Sequence, residues 1–225
     1  MELILEQLPV VVGALNTGFL QTLRLFFITL LGAFPLGLVI AFGSMSRIRL
    51  LSLSARFLIW IIRGTPLMIQ LLIIYYFPGL VLHSPIWGGG ESGRFLAASI
   101  SFVLNYACYF SEIYRGGIQS VPVGQQEAGL VLGMTRHQIF FRVTLLQMVK
   151  RIVPPISNEV ITLVKDTSLA FVLGLMEMFT RAQAIAASQV SMMPYLIAAL
   201  IYWACCLIIE FLMNRAEKKL DYYHD

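Results

Sequence analysis

Polar side chains that could meet a charged solute are concentrated in a short stretch that begins at Asn158. Glu159, Thr162 and Asp166 recur there at spacings of three and four, which places them on one face of a helix. Inside a membrane a carboxylate costs at least ~2.5 kcal/mol unless it is paired or hydrated. The stretch therefore predicts either a wet path for a cationic solute or a structural ion pair made with Lys165.

A second polar group interrupts an apolar stretch at Arg63, Gly64, Thr65 and Pro66. Proline removes a backbone hydrogen bond and glycine lets helices approach closely. These residues predict a kink or a gate in a helix in preference to a direct solute contact. Asn105, inside another apolar stretch, is a further candidate for lining the path.

Metal binding and catalysis are not indicated. The histidines lie far apart with no His, Cys or carboxylate at ligand spacing, and the cysteines sit inside apolar runs; these residues are His83, His137, His224, Cys108, Cys205 and Cys206. This pattern predicts no metal site, no disulfide framework and no catalytic triad. The sequence contains no G-x-x-x-x-G-K-[ST] phosphate-binding loop, so we expect neither an enzyme nor a cofactor bound by this chain.

Composition indicates the elements that carry these residues. The chain has 225 residues, 58% hydrophobic and 12% charged, against roughly 25% charged in an average soluble domain. Residues 25–46 and 182–209 carry no charge and are each long enough to cross a bilayer. We predict an all-α integral membrane protein with five transmembrane helices, near residues 20–45, 56–79, 95–117, 146–172 and 192–213.

Basic residues indicate the orientation of these spans. Most of the 16 Lys and Arg residues lie between spans one and two, between spans three and four, and after span five. The positive-inside rule then places the N-terminus outside and the C-terminus in the cytoplasm. The net charge of +4 is explained by this asymmetry, without a nucleic acid partner. Residues 1–15, with Leu3, Ile4, Leu8 and Val11 on one face, predict a short helix in the outer interface.

The segment of residues 118–145 is a polar insert on the predicted cytoplasmic side. Proline at position 122 favours a helix start, and Gly133 favours a turn, so the insert predicts a helix, a turn and a second helix. Ala128 and Gly129 are small and follow Glu127, which would let another surface approach closely. The residues alone leave a docking element and an ordinary solvated loop equally open.

A resemblance decides between these alternatives. The run Glu127-Ala128-Gly129, followed by Gly133 and Ile139, resembles the EAA loop of ABC importer membrane subunits. Residues 61–76, 111–135 and 158–172 resemble signature stretches of the polar amino acid uptake family, the histidine and glutamine permease type. Two departures stand out: Gly129 replaces a usual alanine, and Leu146 replaces an expected proline, which predicts a smoother entry into span four.

The resemblance implies that residues 1–225 form a single transmembrane permease domain in a bacterial cell membrane. The implied partners are a cytoplasmic ATPase dimer that binds ATP and Mg²⁺, a second identical or related permease subunit, and an external amino-acid-binding protein. The insert, through Glu127, Ala128, Gly129 and Gly133, would couple the ATPase to the spans.

The two carboxylates of the predicted path favour arginine, lysine or histidine as substrate, with glutamine or another polar amino acid as the alternative. A secondary transporter would need more spans and internal symmetry, which the sequence lacks. A purely structural membrane anchor would have no use for the polar stripe.

Overall fold

The structure is a computed structural model that describes residues 2–220, with the side chains of all these residues except 2–8 and 10. Met1 and residues 221–225, which include His224, lie outside the described part. All regular secondary structure in the described part is helical, with α1 (Glu2–Ser44), α2 (Arg49–Gly64), α3 (Leu67–Leu80), α4 (Gly90–Gln119), α5 (Val123–Val131), α6 (Arg136–Ile139), α7 (Leu145–Asp166), α8 (Met178–Gln189) and α9 (Met193–Leu220). A π-helical turn, Phe140–Thr144, joins α6 to α7, and a 3₁₀ helix, Thr167–Leu173, follows α7.

The helices that are long and apolar enough to cross a membrane are α1 from Val11 onward, α4 and α9. Helices α2 and α3 pass the same test only when they are taken together, and they are bent by 111° relative to each other, as in a broken span or a re-entrant loop. Helix α7, which falls on the predicted fourth span, carries too many ionisable side chains to qualify by composition. The described helices thus provide up to four spans on length and apolarity, and a fifth requires that the charged α7 cross within a protein environment.

The N-terminal segment differs from the sequence prediction. Residues 2–15 continue into the first span without a break, where a separate short helix was expected. The reason is tertiary packing, because Val11 and Leu15 are buried in one cluster with Met178 and Ala182 of α8. The predicted apolar face also includes Leu3, Ile4 and Leu8, whose side chains lie outside the described part.

Helix α4 lies at the centre and packs along α1. The two helices approach closely because α1 carries glycine where they cross. A Cβ atom on Gly32 would lie 2.8 Å from Val103, and one on Gly37 would lie 3.0 Å from the carbonyl oxygen of Ala107. Small residues at such crossings are the usual means by which membrane helices pack. This close contact fixes the position of α4, and polar side chains of α2, α3 and α7 lie against it.

Candidate translocation path and coupling insert

Two carboxylates of α7 face the centre of the molecule. The hydroxyl of Tyr106 on α4 donates a hydrogen bond of 2.8 Å to Oδ2 of Asp166. Glu159 lies on the same side of α7 and interacts electrostatically with both Asp166 and Arg63. Both carboxylates are partly exposed. The structure therefore gathers Glu159, Asp166, Tyr106 and Arg63 around one polar region.

The remaining predicted path residues are placed differently. Thr162 is partly buried on α7, and Asn158 is exposed. Asn105 is buried and does not reach the carboxylates, since its amide donates to the side-chain oxygen of Gln70 at 3.0 Å. Lys165 is exposed and makes no ion pair within 4.0 Å among the described side chains, although its charge acts on Asp166. The alternative of a close Lys165 ion pair is thus not observed.

Arg63 links this region to a pocket at the end of α2. Its Nη1 lies 3.7 Å from Oε2 of Glu112, and its guanidinium lies 5.2 Å from the ring centre of Tyr109. Glu112 in turn accepts two hydrogen bonds from Arg115, of 2.9 and 2.6 Å. The pocket has a volume of about 600 Å³ and is lined by Arg56, Ile59, Trp60, Arg63, Gly64, Tyr109, Glu112 and Arg115. Three guanidinium groups against one carboxylate make its walls attractive to an anionic group.

The predicted kink at residues 63–66 is a complete break. Helix α2 ends at Gly64, Thr65 and Pro66 are extended, and α3 begins at Leu67. The side-chain nitrogen Nε2 of Gln70 donates to the carbonyl oxygens of Ile62 and Thr65, at 2.7 and 3.0 Å, and to the hydroxyl of Thr65 at 2.9 Å. These bonds pair carbonyl groups that the broken helix leaves without partners. The break is therefore held by a side chain that also meets Asn105.

In the insert, α5 ends in a Schellman motif. The amide of Met134 bonds to the carbonyl oxygen of Gly129, and the amide of Gly133 bonds to that of Leu130, both at 3.0 Å. Gly133 has φ +74°, a left-handed conformation that glycine adopts without steric cost. Glu127 and Ala128 are exposed on α5, beside the exposed apolar side chains of Leu130, Val131 and Leu132.

The second half of the insert is continuous with α7. Thr135 caps α6 through a capping box with Gln138, in which each side chain bonds to the other residue's backbone amide. From Arg136 the chain runs through α6 and the π-helical turn into α7 without a nonhelical residue. The expected second short helix is thus the first part of a continuous helical rod that comprises α6, the π-helical turn and α7. This agrees with position 146, which is leucine and not proline.

Within the described part of the chain, no three His, Cys, Asp or Glu side chains are arranged to hold a metal ion. Cys108 is buried, Cys205 and Cys206 are partly buried, and all three are free thiols.

The family of binding-protein-dependent transport system inner membrane components matches residues 33–222. The chain belongs to this family. The match covers α7 with its carboxylates, the insert and the pocket around Arg63, so the permease carries these features within its family domain. The similarities to individual proteins indicate which class of solute the family members most like this chain transport.

Three relatives are amino acid permeases by name. The permease is 39% identical over 213 residues to the L-cystine transport system permease protein TcyB of Bacillus subtilis (strain 168), covering 93% of this chain and 87% of the relative. It is 37% identical to the arginine permease ArtQ of the same organism, covering 90% of each chain. It is 36% identical to the putative glutamine permease GlnP of Rickettsia felis, covering 90% of this chain and 91% of the relative.

A solved structure agrees with these relatives. The permease resembles a chain in the crystal structure of an amino acid ABC transporter with histidines, with a TM-score of 0.86, 31% identity, and coverage of 96% and 98% of the two chains. A chain of the MetNI methionine ABC transporter shares the fold alone, with a TM-score of 0.67 and 17% identity. The protein is therefore a membrane subunit of an amino acid ABC importer.

Several polar residues of the permease were missed from sequence. The sequence predicts no site role for Glu112, Arg115 or Gln70, although the structure places all three in polar contacts. A carboxylate and a guanidinium three positions apart inside a span are a detectable signal, because they meet on one helix face. Tyr106 is a candidate for the path from sequence, but helix packing is the favoured interpretation, because tyrosine in a span more often packs against another helix.

Proposed function

We propose that this permease imports cationic amino acids, namely arginine, lysine or histidine, into the cytoplasm. The observation that carries the proposal is the placement of Glu159 and Asp166 together on the inward face of α7, with no lysine or arginine on α7 paired to either. Partly buried carboxylates without an ion pair favour a positively charged solute, because its charge offsets their desolvation.

The surrounding residues fit an amino acid with a cationic side chain. Tyr106 orients Asp166 through its hydroxyl, and Arg63 lies near Glu159 on the side of the three-arginine pocket. A bound arginine could direct its side chain to the carboxylates and its own carboxylate to Arg63. The relatives are named for the transport of cystine, arginine and, as a putative assignment, glutamine. Because these names differ, the proposal of a cationic substrate rests on the geometry of the carboxylates.

Glutamine or another neutral polar amino acid is the alternative substrate. The buried pair of Asn105 and Gln70 supplies amide groups of the kind that recognise an amide side chain. These two amides are already bonded to each other and to the break between α2 and α3. A neutral substrate would have to replace those bonds, whereas a cationic substrate would meet carboxylates that lack a cationic partner on α7.

The insert is proposed to couple transport to ATP hydrolysis in a separate subunit. Exposed Glu127 and Ala128, with the apolar surface of Leu130 and Leu132, would sit in a groove of the ATPase. Because α6 continues into α7, movement of the insert would be transmitted along one rod to Glu159. Gly129 and Gly133 hold the shape of the insert.

We propose that one chain forms only half of the translocation path, and the remaining features of the proposal follow from this. Asn158 and Lys165 are exposed on α7, so a second permease subunit, identical or related, would enclose them. We further propose five spans, with the N-terminus outside and the C-terminus in the cytoplasm of a bacterial cell. The ATPase subunits would bind ATP and Mg²⁺, and an external binding protein would deliver the amino acid.

Uptake into proteoliposomes that contain the complete importer tests the substrate. We expect Glu159→Gln to lower arginine uptake about tenfold, the factor that corresponds to 1.4 kcal/mol, with a smaller effect on glutamine competition. The matched control is Glu210→Gln, the same change at an exposed carboxylate of α9. Unchanged arginine uptake and an unchanged competition profile in Glu159→Gln would refute the cationic assignment.

Coupling is tested separately with the insert. We expect Glu127→Arg and Gly133→Pro to reduce both co-purification of the ATPase and substrate-stimulated ATP hydrolysis, since proline cannot adopt a positive φ. Glu210→Arg places the same charge change outside the insert and serves as the control. Wild-type assembly and transport in both insert variants would refute the coupling role. The assignment of a cationic substrate would not be affected.

A further inference from the structure

Arg24 is an unpaired cation on the outer surface of α1. It is exposed and makes no hydrogen bond or ion pair within the described part of the chain. Its neighbours at helical spacing are strongly exposed apolar side chains, Leu20, Phe27 and Leu31. A cation on such a surface is favourable only where it reaches the polar groups at the bilayer surface.

The depth of Arg24 corresponds to the phosphate level of a bilayer. Residues 25–44 of α1 carry no charge and extend about 30 Å at 1.5 Å per residue, the thickness of the hydrocarbon core. Arg47 follows at the opposite end. Arg24 therefore lies at the edge of the hydrocarbon, which is the outer edge in the orientation proposed above.

A groove beside Arg24 has a polar end and an apolar end. Its volume is about 470 Å³, and it is lined by Thr17, Leu20, Gln21, Leu23, Arg24, Phe27, Ile28 and Leu31. Gln21 and Arg24 lie toward the N-terminal end of the groove, and the side chains toward Leu31 are apolar. This order matches a lipid, whose head group lies at the bilayer surface and whose acyl chain extends inward.

A carboxylate that does not itself line the groove lies beside Gln21, at the polar end. The side-chain nitrogen Nε2 of Gln21 is 3.5 Å from Oε1 of Glu91, which lies at the start of α4. Gln21 precedes Arg24 by one turn in the outward direction, so the cation is at the inner position and the carboxylate at the outer one. A head group with an inner phosphate and an outer ammonium has the complementary arrangement.

We propose that this groove binds a zwitterionic phospholipid that carries a primary amine, with its phosphate at Arg24, its ammonium toward Glu91 and an acyl chain along Phe27 and Leu31. The lipid neutralises Arg24 and seals the contact between the outer ends of α1 and α4. The proposal uses the orientation of the proposed function only to assign the leaflet. Lipid retention does not require transport.

Native mass spectrometry of the complete importer, purified from nanodiscs containing phosphatidylethanolamine, measures the lipid that stays bound. We expect Arg24→Gln to lower retained phosphatidylethanolamine per permease roughly fivefold, and Glu91→Gln, on a different helix, to lower it as well. Arg24→Lys should retain most of the lipid. Arg47→Gln, which removes the same charge at the opposite membrane edge, should match the wild type.

Nanodiscs of phosphatidylglycerol or phosphatidylcholine separate the head groups, since neither lipid carries a primary amine. We expect less retention of both. Equal retention of phosphatidylglycerol, or wild-type retention by Arg24→Gln, would overturn the proposal. A loss of the second permease subunit from Arg24→Gln, read as a mass change, would also overturn it by showing that a protein covers this face.

Discussion

Gly129 and Ile139 touch across the turn of the insert, so closely that a Cβ atom on Gly129 would lie 2.7 Å from Cγ1 of Ile139. Both residues are buried, although most of the insert around them is exposed. The contact joins α5 to the end of α6 and thus to the rod that continues into α7. Glycine at position 129, where related loops usually have alanine, is explained by this contact.

Gly129→Ala should therefore loosen the insert. Adding a methyl group to a filled contact typically costs ~1–3 kcal/mol, and we expect a lower melting temperature and weaker ATPase co-purification. Ile139→Ala makes room for the new methyl group, so the double variant should be destabilised by less than the sum of the two single changes. Additive effects would show that the two side chains do not meet.

Gly133 is required for a different reason, its positive φ. Gly133→Ala should destabilise the insert by ~1–2 kcal/mol, because a Cβ atom is unfavourable in the left-handed conformation, and Gly133→Asn should cost less. Gly124, at the start of α5, provides the control, because it lies within the helix and has open space around it. Thermal unfolding of the purified permease should show Gly124→Ala unchanged or slightly stabilised, and a similar loss in both alanine variants would contradict this explanation.

Features that depend on local signals were accessible from the sequence. The turn at Gly133, the interruption at Gly64 and Pro66, and the polar face of Glu159 and Asp166 each follow from residue type and helical spacing. Glycine, proline and ionisable side chains constrain the chain within a few positions, so no knowledge of distant contacts is needed. The helix-turn-helix form of the insert belongs to the same class.

Features that depend on distant contacts were not accessible. The continuity of α1 through Leu15 reflects burial against α8, far along the chain. The partner of Asp166 is a tyrosine 60 residues away, and the partner of Asn105 is a glutamine 35 residues away. Many apolar positions of a membrane helix look alike in sequence, and only the fold determines which of them face a polar group.

Gln70 should be essential for the break between α2 and α3. Gln70→Met keeps the size of the side chain but leaves the carbonyl groups of Ile62 and Thr65 and the amide of Asn105 without this partner. The amide of Asn105 is buried, and a buried group left unpaired costs about 1–3 kcal/mol, so we expect a clear fall in melting temperature. Gln183→Met, at an exposed position of α8, is the control. Equal melting temperatures for the two variants would contradict a structural role for Gln70.

Glu177 anchors α8, and its removal should destabilise the contact between α1, α8 and α9. The carboxylate is only 2% exposed and caps α8 by accepting hydrogen bonds of 2.6 Å from the backbone amides of Phe179 and Thr180. The hydroxyl of Tyr202 on α9 donates to it at 3.3 Å. Glu177→Ala removes the cap, which alone costs ~0.5–2 kcal/mol. We expect a lower melting temperature than for Glu210→Ala, at an exposed position of α9.

Glu177 should also make stability depend on pH, because it lies between the last two predicted spans and is buried. Burial raises the pKa of its carboxyl group above the ordinary value, and the hydrogen bonds from Thr180, Phe179 and Tyr202 only partly oppose this. A folded-state pKa above the unfolded value means that folding favours the protonated form, so the associated stability is present at acid pH and is lost as the pH rises through the raised pKa. Melting temperatures of wild type and Glu177→Gln between ~pH 5 and ~pH 8 measure this effect. The amide does not titrate, so the variant should lack this part of the decline, and identical slopes in the two proteins would show that Glu177 is ionised throughout.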